Sequence, residues 1–254
     1  MKEFINKVIL GDCLEIMSLL PDKSIDMILC DLPYGVSSRN SWDNIIPFDI
    51  LWENYRRVAK ENAAIVLTAT QPFASQLVMS NFAMFKYDLI WEKNKITGHL
   101  NANKMPLRSH EIILVFYDKQ PAYNPQKTTG HKPANSFTVN GDNSKIYGKV
   151  KVGRTGGNQT DRFPKSVLKF DVINNDKGAR LHPSQKPVKM FEYLIKTFTN
   201  VGDIVLDNCI GSGTTAIAAL NCKRKFIGID SSEEYVAIAQ KRIGDYFAGD
   251  IFYF

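Results

Sequence analysis

Apolar positions in this chain follow two rhythms. Compact apolar runs predict strands at Lys7–Leu10, Ile25–Cys30, Ala63–Ala69, Tyr87–Trp91, Glu111–Tyr117, Asp203–Asp207 and Phe226–Asp230. Helical spacing predicts helices at Cys13–Leu20, Phe48–Lys60, Phe73–Phe82, Val188–Thr199, Thr214–Asn221 and Glu233–Tyr246. Start signals support several of these. Asp12 with Glu15, and Ser231 with Glu234, have capping-box spacing, and Pro187 suits a first helical position. The alternation predicts an α/β fold, a mostly parallel seven-stranded sheet with helices on both faces. One strand pair departs from this. No convincing helix joins the strands flanking residues 93–110, so that pair is expected to run antiparallel around a long polar loop. Its cations, Lys93, Lys95, Lys104 and Arg108, suit either phosphate contact or plain solvation.

From Lys119 to Arg180 the rhythm stops. The segment is rich in Asn, Gly, Lys and Thr, has short β-like pieces such as Lys149–Val152, and interleaves Tyr123, Phe137, Tyr147, Phe163 and Phe170 with cations. It holds twelve Lys or Arg against four Asp, whereas the whole chain is only +6. The basic surplus is therefore local, which favours a nucleic-acid partner over general solvation. Residues 119–180 are expected to form an inserted irregular or β module, dividing a catalytic domain into parts 1–118 and 181–254. The composition, 44% hydrophobic and 23% charged, is that of a globular protein with a sizeable core. No apolar run approaches a membrane span, and Met1-Lys2-Glu3-Phe4 leads into a strand pattern, unlike a signal peptide. The cysteines Cys13, Cys30, Cys209 and Cys222 have neither zinc nor disulfide spacing, so a reducing, cytoplasmic setting is expected.

Candidate chemistry lies at strand ends. Asp31-Leu32-Pro33-Tyr34 brings together a carboxylate, a carbonyl ahead of a proline and an aromatic ring, a set suited to holding a planar amine. Pro33 restricts Leu32 to extended conformations and so aims its carbonyl. A turn with a packed tyrosine is the plainer reading of these four residues. A second loop, Asp207-Asn208-Cys209-Ile210-Gly211-Ser212-Gly213-Thr214-Thr215, is glycine-rich and opens a helix. With Asp230 closing the next strand, it also fits a dinucleotide site of an oxidoreductase. Against that, Asp207 would face a pyrophosphate, whereas it suits an ammonium. Only a short tail follows Asp230, so the sheet is expected to borrow its remaining strands from the N-terminal half.

Together these motifs resemble the amino-methyltransferases of DNA, with their Asp-Pro-Pro-Tyr tetrad and Asp-Pro-Phe-x-Gly-Ser-Gly-Thr loop. The tetrad comes first here, which resembles the circularly permuted β group of that family. The resemblance implies a Rossmann-like methyltransferase fold. It implies methyl transfer from S-adenosylmethionine to the exocyclic N6 of an adenine flipped out of double-stranded DNA, with 119–180 as the target-recognition module. Asp31 and the Leu32 carbonyl would accept the two amine N–H groups, and Tyr34 would stack on the base. Gly211 and Gly213 would let backbone approach the cofactor, with its carboxylate near the helix start at Thr214. Asp207 would hold the ammonium and Asp230 the ribose hydroxyls. Gly11-Asp12 resembles the element that contacts the adenine ring, with Cys13 beside it, although Asp12 is equally a plain N-cap. His182-Pro183-Ser184-Gln185-Lys186-Pro187 resembles the family's His-Pro-Thr-Gln-Lys-Pro element, which places Ser184 and Lys186 at the methionine end of the cofactor. The loop Val36–Asn44, with Arg39 and Trp42, would close over the flipped base or simply pack. Two departures stand out. Leu32 replaces the first proline of the tetrad, and Asn208-Cys209 replace Pro-Phe in the loop. Cytosine-N4 methylation and a catalytically silent DNA-binding protein remain alternatives. The sequence leaves open a bacterial or a phage source, an RNA substrate, a companion restriction nuclease and the choice of monomer or homodimer.

Overall fold

The computed structural model describes residues 1–35, 44–138, 153, 155–173 and 185–249. Its strands are β1 (Lys7–Leu10), β2 (Ile25–Cys30), β3 (Ala59–Ala69), β4 (Phe85–Thr97), β5 (Arg108–Phe116), β6 (Phe137–Thr138), β7 (Thr155–Gly156), β8 (Val167–Lys169), β9 (Ile204–Asp207) and β10 (Lys225–Asp230). Its helices are α1 (Cys13–Ser18), α2 (Phe48–Val58), α3 (Phe73–Ser80), α4 (Val188–Phe198), α5 (Thr214–Asn221) and α6 (Glu233–Ala248). Strand periodicity creates the layers. Met27 and Leu29 of β2 pack into one core with α4, α5 and α6. Ile28 and Cys30 pack into a second core with α1, α2 and α3. Stretches buried on both faces must be apolar, which is why 27–30 of β2 and 63–67 of β3 read as continuous hydrophobic runs.

Among the described residues the main sheet has eight strands in the order β1-β10-β9-β2-β3-β5-β4-β8. The run from β1 to β3 is parallel; β5 is antiparallel to β4, as the missing helix implied, and also to β3. The eighth strand corrects the expected seven. β8 pairs parallel with the edge of β4, Leu168 is buried in the core, and the Trp91 indole donates to the Phe170 carbonyl at 2.7 Å. Those contacts draw 166–173 into the main fold although they lie inside the expected insert. β4 also runs on to Thr97, so Lys93 and Lys95 stand on a strand and not in a loop. The cap of α6 is Ser232, one residue after Ser231, and its hydroxyl accepts from Tyr235 N–H. Pro187 caps α4 from just outside it.

The inserted compact unit is Pro125–Lys165, narrower than 119–180 at both ends. Within it β6 and β7 pair antiparallel, and Thr128 bridges Arg162. The Arg162 guanidinium donates to the carbonyls of Gln159 and Lys132 at 2.7 and 2.6 Å, tying separate turns together. Gly157 adopts φ +121°, and a Cβ there would lie 2.3 Å from Ser136 Cα, so only glycine permits this turn. Lys127 pairs with Asp161 at 2.7 Å and sits 4.4 Å from the exposed Phe163 ring. The expected piece Lys149–Val152, and Tyr147, fall outside the described residues.

Candidate active site

Parallel pairing of β1, β10, β9 and β2 sets four carboxyl ends side by side, and each delivers an acid. Asp12 follows β1, Asp230 ends β10, Asp207 ends β9 and Asp31 follows β2. The edge beyond the carboxyl ends of parallel strands is where open α/β sheets bind ligands. All four acids line one cavity of about 500 Å³. Gly211, Thr214 and Lys186 line it too.

Three of the acids organise backbone. Asp12 Oδ1 accepts from the N–H groups of Leu14 and Glu15 at 2.8 and 3.2 Å, so the N-cap role is real. Asp230 Oδ2 accepts from Gly211 N–H at 2.8 Å, and its Oδ1 accepts from Ser232 N–H at 2.9 Å. One carboxylate thus joins the glycine turn to the start of α6. Asp207 is nearly sealed, 2% exposed. It accepts from Cys209 N–H at 3.1 Å and from the Thr215 hydroxyl. Burial pushes its carboxyl up to about 7, because these donors only partly offset the lost solvation.

Asp31 ends a charged chain. The Tyr34 hydroxyl donates to its Oδ1 at 2.5 Å, and the Thr68 hydroxyl of β3 donates there too. The Lys186 ammonium lies 2.7 Å from Oδ2. Lys186 is 3.3 Å from Glu111 Oε2, and Glu111 Oε1 pairs with Lys93 at 3.1 Å. Two acids and two bases therefore alternate across β2, β4, β5 and the approach to α4. Burial disfavours the Lys186 ammonium, yet Asp31 and Glu111 outweigh it and hold its pKa above the ordinary lysine value.

Several expected residues sit differently from their assigned roles. Lys186 reaches Asp31 as well as bordering the cavity. Gly213 does not line the cavity; a Cβ there would lie 3.0 Å from Ala239 Cβ, so this glycine lets α5 approach α6. One face of Tyr34 is covered by Phe73, with ring centroids 5.2 Å apart. Its raised pKa follows from burial and the neighbouring Asp31 charge. Leu32 is buried in the α1–α3 core, and Pro33 and Cys13 line the cavity. Ser184, His182, Arg39 and Trp42 lie outside the described residues.

Sequence reasoning did not select Thr68, Tyr55 or Glu111, and it gave Lys93 a different role, phosphate contact or plain solvation. Tyr55 compensates for the unusual Asn208, donating its hydroxyl to Asn208 Oδ1 at 2.6 Å in a fully buried contact. A polar residue inside an apolar run, as Thr68 is, was the available signal. Cys13, Cys30 and Cys209 gather beside this loop, where burial pushes the Cys30 thiol up to about 12.

A family model described as DNA methylase matches residues 25–241. The Type II methyltransferase M.BglII of Bacillus subtilis is 29% identical over 94% of this chain and 69% of its own length. The DNA adenine methyltransferase YhdJ of Escherichia coli K12 is 26% identical over 93% of this chain and 82% of its own length. The crystal structure of the M1.HpyAVI–SAM complex superposes with a TM-score of 0.62 at 24% identity, covering 93% of this chain and 98% of that one.

Proposed function

The chain belongs to the DNA methylase family, and from that premise we propose that it transfers a methyl group from S-adenosylmethionine to the exocyclic N6 of adenine in double-stranded DNA. The observation that carries this reading is the shared cavity: Asp31, the candidate amine acceptor, opens onto the same space as Asp207 and Asp230. A cavity of about 500 Å³ suits a cofactor of this size. Its acids match a ligand bearing an ammonium and a ribose. Adenine is favoured by the aspartate that opens the tetrad and by the adenine enzyme among the relatives.

S-adenosylmethionine supplies an electrophilic methyl group on a sulfonium when bound. Asp207 would hold the ammonium and Asp230 the ribose hydroxyls, while the N-terminal turn of α5 would face the carboxylate. Asp31 accepts one amine N–H and the Leu32 carbonyl the other. The nitrogen lone pair is thereby turned out of conjugation with the ring. Acceptors fixed beforehand stabilise positive charge as it grows on that nitrogen. Asp31 would receive the proton that the amine nitrogen sheds once it carries the methyl group. The Tyr34 ring, one face of which Phe73 covers, borders the cavity as the surface on which the flipped base would stack. The chain would work in the bacterial cytoplasm. The test is transfer of labelled methyl to duplex DNA, followed by identification of the modified nucleoside.

Asp207 gives a pH dependence. Its carboxyl lies at about 7 without ligand, and a bound ammonium favours the ionised form, so binding releases a proton at lower pH. Cofactor affinity should therefore fall by about tenfold per pH unit below neutrality and level off above it. Calorimetry across pH 5.5–8.5 checks this; a flat profile contradicts Asp207 as the ammonium partner.

The basic unit Pro125–Lys165 would supply DNA affinity and sequence choice. Neutralising a phosphate-contacting lysine in it should weaken binding to all sequences and lower the salt slope by roughly 1. Exchanging the unit with that of a relative should move the methylated site and leave the methylated atom unchanged. Mapping of modified bases that finds the original site after exchange would place specificity elsewhere.

A further inference from the structure

Among the buried groups described, Glu111 Oε2 stands out as a carboxylate oxygen with no hydrogen-bond donor. A native protein rarely leaves such an acceptor unsatisfied without reason. The Lys186 ammonium lies 3.3 Å away, yet its hydrogen bond goes to Asp31 Oδ2 at 2.7 Å. The other oxygen of Glu111 is held by Lys93 at 3.1 Å, and both side chains are largely enclosed, 15% and 9% exposed. Glu111 is therefore a fixed second seat within reach of the same ammonium.

This arrangement answers a difficulty at Asp31. Methyl transfer places positive charge on the target nitrogen, and Asp31 is to stabilise it. A cation 2.7 Å from that carboxylate opposes the same charge. Tyr34 and Thr68 already occupy Oδ1, so Oδ2 is the oxygen the amine would meet. We infer that Glu111 is a positioning residue that takes the Lys186 ammonium when the target base enters, freeing Asp31 Oδ2 to accept the amine N–H. The move is short, conserves the number of buried charges and gives Glu111 Oε2 the donor it lacks. Lys93 keeps Glu111 in place while this happens and takes no part itself. The inference rests on the assignment of Asp31 as amine acceptor.

The experiment is single-turnover methyl transfer in preformed complexes of protein, duplex DNA and labelled cofactor, comparing Glu111→Gln with Lys93→Met. Both substitutions break the same ion pair, so a merely structural role predicts similar losses. Glutamine still offers Lys93 an acceptor but no longer attracts Lys186. Glu111→Gln should slow transfer by about tenfold to a hundredfold, the range of one charge-assisted hydrogen bond lost at the transition state. Affinity for cofactor and DNA should stay within about threefold, well inside that range. Lys93→Met leaves Glu111 charged but less firmly held, so it should slow transfer clearly less than Glu111→Gln does. If Glu111→Gln proves unstable, the charge-balanced Lys93→Met/Glu111→Gln double variant is read instead and should be equally slow. A wild-type rate without the Glu111 charge, or an equal loss in Lys93→Met, overturns the inference. An active Asp31→Ala variant would instead overturn the assignment beneath it.

Discussion

Asp31→Ala should slow methyl transfer by about a hundredfold to a thousandfold, the cost of losing one preorganised polar group from a transition state. The cofactor should bind almost as before. Asp31 stands at the end of β2, whereas Asp207 and Asp230 stand at the ends of β9 and β10. The substitution also spares the fold. Lys186 keeps Glu111 as a counter-charge, and Thr68 and Tyr34 lie 3.1 Å apart and can bond each other. Labelled methyl incorporation measured beside cofactor affinity separates the two effects. Substantial turnover in the variant would remove Asp31 from the reaction.

Asp230→Ala should act on the cofactor in the opposite sense, abolishing tight binding before chemistry begins. The carboxylate does two jobs at once. Gly211 N–H and Ser232 N–H both donate to it, so its loss loosens the glycine turn as well as removing a ribose acceptor. Each hydrogen bond to a charged acceptor contributes roughly 1.5–3 kcal/mol, and losing two or more should lower affinity by about a hundredfold or more. Asp230→Asn keeps one acceptor and should fall between. Calorimetry gives the affinities, and thermal unfolding reports how far the turn matters to the fold. Unchanged affinity in Asp230→Ala would displace the proposed ribose site.

What could be read from the sequence was local, and what could not was remote pairing. Asp12 shows itself as an N-cap because its partners, Leu14 and Glu15, follow immediately. Asp207 and Asp230 are legible as ligand candidates because apolar strand runs stop at them. The antiparallel pair β4–β5 was legible from the missing helix. Lys186 is different. Its partner Asp31 is 155 positions away, and no periodicity links the segment before α4 to the end of β2. Glu111 is hidden for a similar reason: an acid opening the apolar run Ile112–Phe116 reads as a strand boundary until Lys186 and Lys93 converge on it. β8 escaped notice because three residues carry no rhythm; only the edge of β4 and the buried Leu168 make them a strand. Asn208 reads as a loss when compared with the family loop, and the Tyr55 hydroxyl that receives it comes from α2, across the second core.

Methylation of the exocyclic amine of adenine in this cavity can be measured outright. Purified protein, duplex DNA and S-adenosylmethionine carrying a labelled methyl group test it most directly, with the DNA digested to nucleosides and separated after reaction. The label should appear as N6-methyl-2′-deoxyadenosine and fall by about a hundredfold or more with Asp31→Ala. Label in N4-methyl-2′-deoxycytidine would contradict the assignment of the base, and DNA left unlabelled by a protein that binds the cofactor would contradict the assignment of the reaction.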